Sequence, residues 1–493
     1  MPLAAFSGVL RVPGCLRCCA RWTRTIDECV FVRRCRSSRT PLTPLRLLGC
    51  VRQQESHQRL QASQDVPELV QTSAEAAGAG LVAAGASRLA PPLVQWPQDT
   101  PRALLQYVKR EVLAVVPEPD LSAEYLFMEA LRRAQSSVQI QHQLKQLRQL
   151  RDQHQRYAAL GLDASQRDWL DVLLIPPPLT LPAFRAAVNA SGKFSPARQT
   201  VREEQHPAMH WVETLRDAIR AEYRELCVRR LSREPVQYIC GSWAFHCIEL
   251  LLQPPVLIPR PETEELVEHV LRSDWAQRAR AGESLRLLDI GCGSGAIVLA
   301  LLASLRNTNV AAVAIDPNET AVWITAENAR RLGVALYAER GDAETLHPFL
   351  RILRCDIQTF KSDLLTQARA MRDSGEHEFT YDLIVSNPPY VLPSDMATLA
   401  PEIRDFEDPA ALSGLDEDGM RIIRAILKAC AEAPSLLAPG GELWMEVDPS
   451  QPPKIASLLA ATASAASSVT LELVDVKRDL SGHERFVHIR RPR

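Results

Sequence analysis

Leu287-Leu288-Asp289-Ile290-Gly291-Cys292-Gly293-Ser294-Gly295 decides how the rest of the chain is read. An apolar strand runs without interruption into a turn in which every second residue is glycine, and Ala296 to Leu305 then continues as an apolar helix. Such a turn lets a ligand approach the backbone closely, at a helix N-terminus. By itself G-x-G-x-G belongs equally to dinucleotide sites, nucleoside sites and tight structural turns. Its neighbours must discriminate.

Working outward, strands and helices alternate. Strands are expected over Leu285 to Ile290, Val310 to Ile315, Leu350 to Cys355, Tyr381 to Ser386, Glu442 to Val447, Thr470 to Val476 and Arg485 to Ile489. Helices are expected over Ala296 to Leu305, Glu319 to Leu332, Gly419 to Ala431 and Ile455 to Ala461. The alternation predicts an α/β fold, a parallel sheet with helices on both faces. Asp316 ends the second strand, 27 residues after Asp289. A carboxylate there can accept both ribose hydroxyls of a nucleoside, and a solvated strand-end Asp is the plainer alternative.

The fourth strand delivers Asn387-Pro388-Pro389-Tyr390. Two consecutive prolines fix φ and supply no N–H, and a residue before proline is held extended. The Asn387 amide and the Pro388 carbonyl thereby become fixed acceptors. A planar NH₂ group, on adenine, guanine or glutamine, has two hydrogens to place on them while Tyr390 covers its face. A proline-stiffened strand end with no ligand is the alternative reading of the tetrapeptide alone.

At 493 residues, with 46% hydrophobic and 24% charged composition, the chain has room for two or three globular domains. A formal charge of −2 argues against tight, sequence-blind binding to nucleic acid. Residues 1–60 differ from the rest, carrying 11 arginines against Asp27, Glu28 and Glu55. Arg-rich, acid-poor N-termini suit mitochondrial import, and no apolar run reaches the length of a membrane span. Cys15 and Cys18 form one C-x-x-C without a second pair or a histidine partner at zinc-finger spacing, so no metal is expected.

The remaining organisation is a presequence-like segment over 1–60, a linker over 61–100, a helical domain over 101–235, a β-hairpin connector over 236–260 and a catalytic domain over 261–493. Within the helical part, Leu104, Leu105, Val108, Val112 and Val115 recur at helical spacing, and Trp211 to Leu231 forms a further helix. Gln139 to Tyr157, a Gln/Arg/Lys/His stretch with leucines at 144, 147 and 150, is expected as an exposed helix with a solvated face. Pro176 to Pro178 and Ser191 to His206 are expected as loops. Tyr238 to Phe245 and Ile248 to Leu252 alternate as a hairpin broken near His246. Pro259-Arg260-Pro261-Glu262-Thr263-Glu264-Glu265 opens another helix, with the acidic residues in its first turn.

In this order, the glycine turn, second-strand acid and Asn-Pro-Pro-Tyr resemble class I S-adenosylmethionine-dependent methyltransferases that alkylate planar nitrogens. The resemblance implies a Rossmann-like catalytic domain that binds S-adenosylmethionine through Asp289, Gly291, Gly293, Gly295, Asp316 and Asn387. It also implies an acidic residue near the adenine after the third strand, Asp356, with Asp363 as its rival. Two upstream blocks, Pro235-Val236-Gln237-Tyr238-Ile239 and Val256 through Glu268, resemble the HemK/PrmC peptide-chain-release-factor glutamine methyltransferases. So do Leu399 to Arg404, Glu446-Val447-Asp448-Pro449 and Arg478 to Gly482.

That narrower resemblance implies an acceptor, the glutamine of a Gly-Gly-Gln loop in a class I release factor, methylated at N5. Asn387, Pro388, Pro389 and Tyr390 then form the catalytic set, and an amide held this way needs no dedicated general base or catalytic histidine. The family's helical domain docks the release factor, and Ser122-Ala123-Glu124-Tyr125-Leu126 matches its early helix. Arg260 is read either as a substrate-side residue or as an ion-pair partner of the acidic helix start. With the Arg-rich N-terminus, the implied partner is a mitochondrial release factor in the matrix. Two other classes stay open: a nucleic-acid amino-methyltransferase, and a non-catalytic release-factor or ribosome-binding protein.

Overall fold

The computed structural model describes residues 100–136, 138–153, 162–175, 179–190, 207–336, 349–363, 380–432, 434–462 and 469–493. The expected presequence, linker and the loops at 176–178 and 191–206 lie outside the described residues.

The described chain opens with helices. α1 (Pro101–Tyr107), capped by Thr100, widens into a π-helical turn over Val108–Val112. α2 (Pro119–Ser136), α3 (Val138–Gln153), α4 (Ala164–Leu173), α5 (Leu181–Ala190) and α6 (Pro207–Leu231) follow. Their core forms around Phe127, whose ring stacks on Tyr223 at 4.9 Å and meets Trp169 and Phe184 edge-on at 5.9 and 5.4 Å. The Tyr223 hydroxyl donates to the Ala123 carbonyl at 2.9 Å, so the buried phenol keeps a partner.

Two features here depart from the sequence reading. α4 and α5 were not expected at all, because each is ten residues long and they lie among prolines. α3 is not simply solvated: Leu144 and Leu147 are 3% and 0% exposed and belong to this core. Leucines three residues apart make a narrow stripe that polar neighbours conceal.

Residues Val236–Cys240 form a short helix, α7, so the strand expected over Tyr238 to Phe245 is confined to its second half. Gly241, at φ +71, ends it with a left-handed cap, and the hairpin begins only afterwards: β1 (Ser242–Phe245) pairs with β2 (Ile248–Leu251). Val236 and Ile239 face the helical core, whereas Tyr238, Phe245, Ile248 and Leu250 pack into the sheet's core. The hairpin is thus part of the second core, and α7 is the seam. Trp243 packs against both cores, its ring 4.6 Å from that of Tyr125.

The second core is built on α8 (Pro261–Leu271), α9 (Asp274–Arg280), β3 (Leu285–Ile290), α10 (Ala296–Ser304), β4 (Val310–Asp316), α11 (Glu319–Arg331), β5 (Ala335–Leu336), β6 (Phe349–Arg354) and a helix over 357–363. Then come β7 (Tyr381–Ser386), α12 (Pro401–Arg404), α13 (Pro409–Leu412), α14 (Arg421–Ala431), β8 (Leu437–Glu446), α15 (Pro452–Thr462), β9 (Glu472–Arg478) and β10 (Glu484–Arg490). The sheet order is β5-β6-β4-β3-β7-β8-β10-β9. Pairing is parallel from β5 to β8, but β10 runs antiparallel to both β8 and β9. The expectation of a parallel sheet therefore fails at this edge. The tight link between β9 and β10 leaves no room for the crossover a parallel pair needs.

Alternation along the strands separates two apolar layers. Leu287, Ala312, Leu383, Val385 and Trp444 face α8, α9 and α10, whereas Leu288, Ile290, Ile384, Leu443 and Met445 face α14 and α15. After β3 the chain turns toward β4 and β6; after β7 it turns the other way, toward β8. Beyond the carboxyl ends of β3 and β7 lies the crevice created by that reversal, where open α/β sheets bind ligands.

Candidate active site

The glycine turn follows β3 and is held from below. The N–H groups of Gly291 and Cys292 both donate to the Ile315 carbonyl, at 2.9 and 3.1 Å, and Thr325 Oγ1 donates to the Gly293 carbonyl at 2.9 Å. Asn328, fully buried on α11, donates to Ser294 O and Leu251 O and accepts from Leu251 N, tying turn to hairpin. Glycine is required at 295: φ is +82°, and a Cβ there would lie 2.8 Å from Leu299 Cδ1 and 3.0 Å from Thr325 Cγ2. At Gly291 and Gly293 a Cβ would meet no protein atom within 4 Å. One side of the turn is locked to the protein and the other is open to a ligand.

Asp316 ends β4 at the rim of this opening, 8% exposed. Its Oδ2 accepts from Gly293 N at 2.9 Å and its Oδ1 from Asn318 N at 2.8 Å. Each oxygen retains a further lone pair. Burial raises its pKa, the two backbone donors oppose that rise, and Asp408 adds to it. Asp289 sits deeper, 0% exposed: Oδ2 accepts from Val298 N at 3.2 Å in the first turn of α10, while Oδ1 has no hydrogen-bond partner. Burial drives this carboxyl up to about 7, with Val298 N pulling down and Asp316 pushing up. It underlies the turn and does not line the open face.

Asp356 lies two residues past β6, and the preceding Cys355 N–H donates to the Asp316 carbonyl at 3.1 Å, which places this loop beside the same rim. The exposed Asp356 accepts from Thr359 N at 2.8 Å and so caps the helix over 357–363. Asp363 is at the far end of that helix. A strand-end position beside Asp316 belongs to Asp356 only.

Across the crevice, β7 ends with Ser386 donating to Ile290 O at 2.7 Å, which locks Asn387 next to the glycine turn. Pro388 is buried, and Asn387, Pro389 and Tyr390 are half-buried. Asn387 Nδ2 donates to Thr263 Oγ1 at 3.1 Å; Thr263 Oγ1 donates in turn to Glu446 Oε2 at 2.7 Å. Tyr390 OH reaches Glu446 Oε1 at 3.5 Å, and burial, with Glu446 beside it, pushes its phenol up to about 12. The Asn387 amide is therefore turned with its N–H₂ into the protein, and Oδ1 is directed away from that contact.

Thr263 and Glu446 are site residues the sequence reading assigned no role. Both fall in the blocks that carry the family resemblance, and their signal was that placement. Neither residue type announces a hydrogen-bond relay until α8 and β8 bring them together. Arg260 pairs with Glu407 Oε2 at 2.5 Å, a partner neither reading of Arg260 included. Asn318 Nδ2 donates to Asp408 Oδ2 at 2.6 Å, so the segment after Tyr390 folds back onto the rim that holds Asp316. Glu402 receives Arg230 at 3.1 Å and Arg233 at 2.7 Å, joining that segment to the helical core. Among the described residues, no group of three or more His, Cys, Asp or Glu side chains could hold a metal, and no helix is long and apolar enough to cross a membrane.

Comparison with known proteins gives two matching families: a methyltransferase domain over residues 281–450 and a PrmC N-terminal domain over residues 202–241. The chain is 44% identical over 289 residues to the MTRF1L release factor glutamine methyltransferase of Homo sapiens, an alignment covering 58% of this chain and 75% of that protein. It is 34% identical over 242 residues to the release factor glutamine methyltransferase of Geobacter sulfurreducens, covering 49% of this chain and 70% of that protein. With the enzyme of the same name from Cereibacter sphaeroides it shares 32% identity over 337 residues, 68% of this chain and 95% of that one.

Proposed function

The chain belongs to the release factor glutamine methyltransferase family, and from that premise we infer that it methylates the N5 amide nitrogen of the glutamine in a release factor's Gly-Gly-Gln loop. S-adenosylmethionine supplies an electrophilic methyl group on a sulfonium when bound. The residues fit such a group. The open face of the turn at Gly291 and Gly293 leaves room against the backbone, Asp316 keeps lone pairs for ribose hydroxyls, and Asp356 stands beside it for the adenine. Asp289 supports the turn from beneath, its unpaired Oδ1 an acceptor for a donor group or water held there.

One observation carries the reading: Asn387 is tied back to Thr263 through its N–H₂, which leaves Oδ1 as an acceptor beside the glycine turn. An amide nitrogen is a poor nucleophile because its lone pair is delocalised. Asn387 Oδ1 and the Pro388 carbonyl would each take one of its hydrogens and fix the nitrogen on a line with the transferable methyl, with Tyr390 against its face. Its proton becomes acidic as the C–N bond forms, so displacement precedes deprotonation and no base need touch the ground-state amide.

The helical core serves as the docking element, joined to the loop after Tyr390 by Arg230, Arg233 and Glu402. The acceptor is a mitochondrial release factor and the compartment the matrix, a reading supported by the 11 arginines within residues 1–60. The activity is tested with purified protein, labelled S-adenosylmethionine and a release factor carrying Gly-Gly-Gln or Gly-Gly-Ala, with duplex DNA and RNA as competing acceptors. Label on Gly-Gly-Gln alone is expected, and label only on nucleic acid would overturn the assignment. For location, residues 1–60 fused to a reporter should enter mitochondria, and cytosolic retention removes that part.

A further inference from the structure

We propose that Glu446 is a positioning residue of this site: acting through Thr263, it sets which atom of the Asn387 amide faces the acceptor. This rests on the glutamine-methylation reading. Glu446 is the last residue of β8, and Thr263 lies in the first turn of α8; they are 1% and 4% exposed. Neither lines the open face, so any effect on transfer must pass through Asn387 or Tyr390.

Counting hydrogens fixes the orientation. An ionised carboxylate only accepts, and a threonine hydroxyl has one proton. With that proton committed to Glu446 Oε2 at 2.7 Å, the face of Thr263 Oγ1 turned toward Asn387 can only accept. Asn387 must then offer Nδ2, as it does at 3.1 Å, and covalent geometry turns Oδ1 the other way. The flipped amide would set two acceptors face to face and offer N–H groups to a substrate that itself needs acceptors. Orientation is therefore imposed two hydrogen bonds from the chemistry. A protonated Glu446, or a glutamine there, can donate to Thr263 Oγ1. The threonine proton is then free to point at Asn387, and the flipped amide is no longer excluded.

The charged and titratable groups facing Glu446 are Arg485 at the start of β10, Glu262 on α8 and Tyr390. Burial drives the Glu446 carboxyl up to about 7; Thr263, Arg485 and Tyr390 pull it down and Glu262 pushes it up. The orienting form is consequently the one that is lost as pH falls through about 7.

The test uses the full chain with a Gly-Gly-Gln release factor and compares wild type, Glu446→Gln, Thr263→Val and the double variant. Each single change should lower kcat/KM for the acceptor roughly ten- to a hundredfold, the loss expected for one misoriented hydrogen-bonding group. Cofactor affinity and Tm should stay near wild type, since a neutral glutamine removes a buried charge. The double variant should match Thr263→Val, because the route to Asn387 runs through that hydroxyl; a further loss would point to the contact of Glu446 Oε1 with Tyr390 instead. Wild-type kcat/KM should also show an acid limb near pH 7 that Glu446→Gln abolishes. Full activity of Glu446→Gln, multiplicative losses in the double variant, or an unchanged acid limb overturns the proposal. If wild type instead labels a different acceptor, the functional reading fails and the same four proteins test the relay on that acceptor.

Discussion

Replacing Asn387 with alanine separates the acceptor clamp from the cofactor site and the fold. The substitution deletes two things: the Nδ2 donor that meets Thr263 Oγ1 at 3.1 Å, and the Oδ1 acceptor on the side of the amide away from that contact. The first loss is small. Thr263 keeps its bond to Glu446 at 2.7 Å, so no buried donor is orphaned, and one net hydrogen bond is worth about 1 kcal/mol. Pro388 stays buried and continues to stiffen the strand end. The second loss falls on the transition state. Removing one preorganised hydrogen-bonding group from such a site costs about 3–4 kcal/mol, or roughly 10² to 10³ in kcat. Cofactor affinity should change by no more than a few fold, because Gly291, Gly293 and the Asp316 carboxylate are untouched. Initial rates at saturating cofactor, calorimetric titration of S-adenosylmethionine and a thermal melt read the three quantities independently. Cofactor affinity falling in step with turnover would show that Asn387 supports the binding crevice; turnover within about threefold of wild type would remove it from the clamp altogether.

Gly295→Ala places a Cβ at φ +82°, 2.8 Å from Leu299 Cδ1. Left-handed alanine costs about 1–2 kcal/mol and crowding about 1–3 more, so Tm should fall and cofactor affinity weaken at least tenfold; a wild-type melt and affinity would refute the locked-turn account. Asp289 has a folded pKa of about 7, above its unfolded value. Its contribution to stability is thus fully present below about pH 4 and lost as pH rises through 7. Asp289→Asn should therefore narrow the difference in denaturation free energy between pH 5 and pH 8, and an undiminished difference would assign that dependence to other groups. Leu147→Ala, at a position 0% exposed on α3, should destabilise by about 2–5 kcal/mol in chemical denaturation. A loss below 0.5 kcal/mol would restore the solvated-face reading of that helix.

Legibility followed the physics of each segment. β3 and β7 occupy the residues expected from sequence, Leu285–Ile290 and Tyr381–Ser386, because a strand covered on both faces must be apolar at nearly every position. The α7 segment reads as strand because Val236, Tyr238 and Ile239 carry β-favouring side chains, yet two separate cores claim them, and a helix can serve both. The burial of α3 is hidden in the sequence because a two-leucine stripe among glutamines and arginines looks solvated until a neighbouring helix covers it. The antiparallel β10 was equally hidden, since alternation along a strand does not encode its direction.

The candidate site divides in the same manner. Gly291, Gly293, Gly295, Asp316 and Asn387 were visible because each is a residue type whose backbone freedom or functional group is unusual at a strand end. Thr263 and Glu446 were not, and the Arg260 partner, Glu407, lies 147 residues away.

By itself, then, the sequence determined the alternating α/β order, the strand ends that carry the glycine turn and the Asn-Pro-Pro-Tyr, and the family. These depend on residue type, local periodicity and stiff backbone chemistry, all confined to a few neighbouring positions. Only the tertiary structure decided which atom of Asn387 faces outward. An amide has two ends of equal size, and the choice is made by a threonine 124 residues away and by a buried glutamate behind it. No local pattern can report a hydrogen bond closed between elements so far apart in the chain.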